Sequence, residues 1–126
     1  MRDWAGVVIA ESLRDPTTIN RLPVYRAYIS RDGLAPGPGG PPGRWHLYWV
    51  RASPGEMAAI RAELMHGWYA HFWNEHEIVV LYDDAQFRMD RFDRSTWQAA
   101  ARHGLAMGIP EDQLDFPTDD STGTLR

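Results

Sequence analysis

The chain has 126 residues and a formal net charge of −4, and this length fits a single domain. It contains no cysteine, and all 13 of its basic residues are arginine, which excludes thiol nucleophiles, disulfides, zinc–thiolate sites and lysine Schiff bases. The excess of acidic residues disfavours nucleic acid as a partner, because phosphate contacts require a basic surface.

The sequence also argues against a membrane partner. No apolar run approaches the roughly 20 residues that a membrane-spanning helix needs. The first residues lack the apolar core of a signal peptide, since Asp3 is followed almost at once by a strand pattern. These features predict a cytoplasmic protein, and no motif in the chain indicates a cofactor.

The first half of the chain predicts three strands and one helix. Apolar and alternating patterns predict strands at 5–10, 24–30 and 44–52. Asp15 is expected to cap a short helical turn over 17–21. Ser53 and Glu56 form a capping box that predicts the start of the first long helix, which we expect to stop at Gly67.

The second half repeats this arrangement. Strands are expected at 68–73, 77–82 and 86–92. Ser95 and Gln98 predict a second capping box, opening a helix that stops near Gly108. One more helical turn is expected over 110–114.

The order βββα–βββα, with turns of hairpin length, predicts an α+β fold. We expect a two-layer sandwich in which a mostly antiparallel sheet of five to six strands carries both helices on one face. The single domain is expected to span 1–116. Residues 31–43, rich in Pro and Gly, are expected to form an extended loop between two strands, and residues 117–126 a disordered tail.

The aromatic segment 67–73 is the most distinctive part of the chain. Alternation gives it two faces, one with Trp68, Ala70 and Phe72 and the other with Tyr69, His71 and Trp73. The first face is expected to pack under the helices. The second face requires another cover, which could be a partner subunit or the long loop, unless it lines a ligand pocket.

His71 is the main candidate for chemistry. It is either a core histidine with one hydrogen bond or a general acid–base, for which Glu11 is the best partner. The ligand-binding candidates are the polar and aromatic side chains of the predicted strands: Tyr69, Trp73, Arg26, Tyr28, His46 and Tyr48. The spacing of His71, Glu75 and His76 matches neither metalloprotease signature, so we expect no metal site.

Several short motifs of the chain occur together in one family. They are the segments 4–6, 11–13, 67–72, 103–104, 108–110 and 113–116. In this order the segments resemble a family of small uncharacterised prokaryotic proteins and span most of the chain. The resemblance implies a stand-alone domain and carries no activity over to this protein.

Two classes of function therefore stay open. The first is a binding or interaction domain, with an aromatic-lined pocket for a small molecule or an aromatic face for a homodimer. The second is a small cofactor-free enzyme, such as an isomerase, cyclase or hydrolase, that uses His71 and Glu11 as acid and base. A sheet that stacks nucleic-acid bases on aromatic side chains is the least favoured reading, because the chain is acidic.

Overall fold

The computed structural model of the protein describes residues 1–30 and 44–119. The predicted loop at 31–43 and positions 120–126 of the predicted tail lie outside the described residues. Among the described residues, no helix is long and apolar enough to cross a bilayer.

In the described ranges, six strands form one open antiparallel sheet, in the spatial order β2-β3-β1-β4-β5-β6. Their bounds are Trp4–Ile9 for β1, Val24–Ile29 for β2, His46–Ala52 for β3, Ala70–Trp73 for β4, Glu77–Leu81 for β5 and Gln86–Asp90 for β6. The α+β class, the antiparallel pairing and the βββα–βββα order are thus confirmed.

The first long helix, α1, spans Pro54–Glu63 and begins as the sequence predicts. Ser53 accepts a hydrogen bond from the Glu56 amide at 3.2 Å, and the Glu56 carboxylate accepts one from the Ser53 amide at 3.0 Å. The helix ends before Gly67, because Leu64 adopts an extended backbone and bridges to Leu13. The strand that follows, β4, begins at Ala70 and not at residue 68, so it is shorter than expected.

The second long helix, α2, spans Gln98–Ala106, and its predicted capping box is wrong. Asp93 is the capping residue instead, and it begins a short 3-10 turn at Arg94–Trp97 by accepting a hydrogen bond from the Ser95 amide at 3.0 Å. A carboxylate two residues earlier takes the role that the sequence pattern gave to the Ser95 hydroxyl. After α2, Gly108 adopts a left-handed backbone, as expected of a C-terminal stop.

The two helices lie on opposite faces of the sheet, so the expected placement of both on one face is wrong. Met57 and Ile60 of α1 pack with one set of strand residues, among them Val8 and Phe72. We call this side the α1 face. Ala100 of α2 packs with the opposite set of strand residues, which we call the α2 face. Because the strands are apolar on both faces, each face of the sheet has to be covered by other parts of the chain.

Two glycines permit close approach within these layers. A Cβ on Gly6 would lie 2.2 Å from the Phe72 ring, so the ring packs directly on the β1 backbone. A Cβ on Gly104 of α2 would lie 2.6 Å from Leu114 and 2.8 Å from the Tyr82 hydroxyl. Helix α2 therefore packs against its neighbours at a distance that only glycine allows.

Candidate functional site

The sheet separates the predicted site residues into two groups. Glu11, His46 and Tyr48 belong to the α1 side. The remaining five lie on the α2 side: Tyr69, His71, Trp73, Arg26 and Tyr28. One pocket cannot contain both groups, because the strands themselves stand between them.

Glu11 is paired with His46 and not with His71. Its carboxylate accepts a hydrogen bond from the His46 amide at 2.7 Å and another from His46 Nδ1 at 2.7 Å. Both side chains are partly exposed at the end of the β1–β3 ladder, and Tyr48 packs beside them at the edge of the core. The expected acid–base pair of His71 and Glu11 is therefore not assembled.

His71 is a core histidine with one hydrogen bond, the first of the two readings of the sequence. It is 2% exposed, its Nε2 donates to the Pro117 carbonyl at 2.6 Å, and its Nδ1 has no partner among the described residues. The Trp73 ring stacks on it at 5.4 Å. Burial lowers the pKa of His71 to about 4, so the imidazole is neutral at pH 7.

The aromatic α2 face is covered by the chain itself. Residues 109–118, the C-terminal strap, cross it beside α2, with Leu114 and Phe116 buried. The Tyr69 hydroxyl donates to the Gln113 carbonyl, and burial raises the pKa of that hydroxyl. The cover shown for this face is a segment that the sequence analysis did not consider.

The strap continues past the expected end of the domain at residue 116. Arg91 donates to the Thr118 hydroxyl and carbonyl, both at 3.2 Å, and fixes the strap at the edge of the sheet. Phe116 has a φ of +42°, a left-handed backbone that costs about 1–2 kcal/mol in a residue other than glycine. The burial of its ring against Tyr69 and Trp97 compensates for this strain.

An open groove of about 380 Å³ lies on the α2 face where the strap ends. It is lined by Ala5, Tyr25, Arg51, Trp73 and Thr118. Ala5 pairs with Arg51 on one side and with Trp73 on the other, so the three side chains form a row across β3, β1 and β4. The groove exists because the middle member of this row is small.

Tyr25 reaches the groove through a β-bulge. The register of β2 against β3 shifts between Val24 and Arg26, which directs the extra residue, Tyr25, to the same face as Arg26. The Arg26 guanidinium lies 4.3 Å from the centre of the Trp49 ring beside it, and Tyr28 packs on the same core. Strict alternation along β2 would place Tyr25 on the opposite face from Arg26, and the bulge is the reason that it does not.

The guanidinium of Arg51 is the charged group of the groove. It is exposed, and no carboxylate in the described ranges forms an ion pair with it. Arg91, which contacts the groove residue Thr118, is in contrast held by the Asn74 and Thr118 carbonyls. The groove therefore presents a cation beside the Trp73 indole and the Tyr25 phenol.

Sequence reasoning found Trp73 and missed the other four residues that line the groove. Arg51 looks like an ordinary solvent-facing position of an alternating strand, and Ala5 looks like core. A small residue between two large ones on neighbouring strands indicates a groove only when the strand order is known. That order depends here on long-range pairing, which places β1 between β3 and β4.

No protein family, curated protein or solved structure matches this chain. The resemblance of its motifs to the small prokaryotic family stays a prediction. Several of those motif residues have structural roles here, since Gly6 and Gly104 permit close packing and His71 holds the strap.

Proposed function

We propose that this protein is a small-molecule-binding domain whose ligand is a small aromatic carboxylate, held in the groove between the strap and β2. The observation that carries the proposal is the Arg51 guanidinium, which has no carboxylate partner in the described part of the chain and lies beside Trp73 and Tyr25. The groove supplies one charged contact and apolar walls.

The residue types match that ligand class. A guanidinium binds a carboxylate through two parallel hydrogen bonds and is always charged. Trp73, which is 6% exposed, and the more exposed Tyr25 supply aromatic contacts for a ring, and Ala5 is the small residue of the lining. The volume of about 380 Å³ is at the small end of ligand sites.

Isothermal titration calorimetry tests the charged contact. We expect benzoate to bind and benzyl alcohol to bind more weakly, and Arg51→Gln to lower the affinity for benzoate alone. A hydrogen bond to a charged group contributes about 1.5–3 kcal/mol, or roughly a tenfold to hundredfold loss. Arg102→Gln is the control, because Arg102 is an exposed arginine on α2 outside the groove. Equal losses in both variants would contradict the proposal, as would a wild-type protein that binds neither compound.

A steric variant tests the same groove without changing charge. Ala5→Leu adds bulk between Arg51 and Trp73, and we expect it to abolish benzoate binding while the protein stays folded by circular dichroism. Retention of wild-type affinity in a folded Ala5→Leu protein would place the ligand elsewhere.

A second candidate function is homodimer formation through β2. This strand is at the edge of the sheet, and its Val24 and Ile29 side chains are 44% and 56% exposed on the α1 side. Exposed apolar side chains on an edge strand favour pairing with a second copy. Light scattering after size exclusion should then give a dimer that Ile29→Lys dissociates and Leu105→Lys on α2 does not. A monomer at 100 μM, on the order of the protein concentrations at which weak dimers form, would refute this candidate.

A further inference from the structure

Three distant segments of the chain bring two histidines and two aspartates together, away from the groove. His66 lies in the turn after α1, Asp83 and Asp84 form the turn between β5 and β6, and His103 lies on α2. One ligand atom from each of His66, Asp83 and Asp84 lies within 4.8 Å of the others. The spacing in sequence gives no sign of this group.

The distances resemble those between ligands of one metal ion. His66 Nδ1 is 3.2 Å from one Asp83 oxygen and 3.3 Å from the other. Two ligands bound at about 2.0–2.1 Å in tetrahedral geometry are separated by roughly 3.3 Å. An ion could therefore replace the proton between His66 and Asp83 with little movement of either side chain.

His103 holds the second carboxylate in place. Its Nε2 donates to Asp84 Oδ1 at 2.8 Å. The imidazole is itself fixed between Tyr82, at 4.7 Å, and Phe87, at 5.4 Å. A carboxylate ligand held by such an outer hydrogen bond is typical of metal sites.

The local charge also suits a cation. Among the described residues, neither Asp83 nor Asp84 pairs with an arginine. The guanidinium of Arg61 donates to the Tyr82 carbonyl at 3.1 Å, and that of Arg88 pairs with Glu77. In the described residues, only histidines pair with these two carboxylates. A histidine that binds a metal is neutral, so the negative charge of the carboxylates is left for the cation.

We propose that His66, Asp83 and Asp84 bind one divalent first-row transition metal ion, such as Zn²⁺, with His103 as a positioning residue for Asp84. One imidazole nitrogen with carboxylate oxygens favours such an ion over Mg²⁺ or Ca²⁺, which prefer oxygen ligands alone. Partial exposure of the cluster leaves the other coordination positions to water. This site is independent of the proposed groove ligand.

Calorimetric titration of the untagged full-length protein with ZnCl2 and with MgCl2 tests the site. We expect one Zn²⁺ per chain, with at least tenfold weaker binding of Mg²⁺. His66→Gln and Asp83→Asn should each weaken Zn²⁺ binding at least tenfold. His76→Gln is the matched control, because His76 also lies near a carboxylate, Glu75 at 3.9 Å, but has no second one beside it in the described residues.

The positioning role of His103 has its own comparison. His103→Leu should weaken Zn²⁺ binding roughly tenfold or more, and His103→Gln, which can still donate to Asp84, should restore most of the affinity. The proposal is overturned if the wild type takes up no Zn²⁺ at 1 mM, a concentration roughly at the weak limit of specific binding. It is also overturned if His76→Gln weakens binding as much as His66→Gln does. Circular dichroism of each metal-free variant establishes that it is folded.

Discussion

The buried, neutral His71 predicts a specific loss of stability in acid. In the unfolded chain its pKa returns to 6.5, while in the folded protein it is about 4. Between these values the unfolded chain binds a proton that the folded protein does not, so stability is complete above pH 6.5 and falls as the pH drops towards 4. At about 1.4 kcal/mol for each pH unit, the loss reaches about 3 kcal/mol, a large part of the 5–15 kcal/mol typical of a domain.

Urea unfolding at pH 7, 6, 5 and 4 measures this loss, with two variants that cannot titrate at position 71. His71→Phe keeps a ring beside Trp73, and His71→Gln keeps a donor for the Pro117 carbonyl. Each costs stability at pH 7, but the wild type should lose about 3 kcal/mol more than either variant between pH 7 and pH 4. The pKa of Glu56 is lowered to about 2, mainly by its hydrogen bond to Arg2, so this group titrates mostly below pH 4. It also titrates alike in all three proteins and therefore does not affect their comparison. Parallel pH profiles for wild type and variants would refute the account of His71.

Two further predictions concern packing and capping. Gly104→Ala should lower the free energy of unfolding by about 1–3 kcal/mol, because its methyl group would overlap Leu114. A Cβ on Gly55 of α1 would meet nothing closer than 4.0 Å, so Gly55→Ala should instead raise the free energy of unfolding by up to about 1 kcal/mol. Urea midpoints of the two variants that shift in the same direction would contradict this reasoning. Ser53→Ala should cost about 1 kcal/mol in the same assay through loss of the capping box, and an unchanged midpoint would mean that the box adds nothing.

Much of the fold could be predicted from local patterns. The Ser53–Glu56 box, the stop of α2 at Gly108 and the alternation of β3 are short-range features, and each is confirmed. The placement of the helices could not be predicted in this way. Both faces of β4 and β5 are apolar, so the sequence does not say which face each helix covers, and the long-range strand order decides it.

The candidate site was harder to predict for the same reason. Trp73 was recognised because aromatic residues crowd the segment around it. The face of Tyr25 does not follow from alternation, because a bulge adds one residue to β2 and no turn residue marks it. Glu11 was assigned to His71, whereas pairing of β1 with β3 places it beside His46. His66 and Asp83 meet only because the chain that follows α1 and the β5–β6 turn lie at the same end of the sheet.

Chemical-shift mapping tests the proposed ligand site most directly. In ¹H–¹⁵N spectra of the protein titrated with benzoate, we predict saturable shifts of the Trp73 indole and of the Ala5, Arg51 and Thr118 amides. The amide of Arg102 on α2 should stay unchanged. Saturable shifts confined to another part of the chain, or no saturable shifts at all, would contradict the assignment of the groove as the binding site.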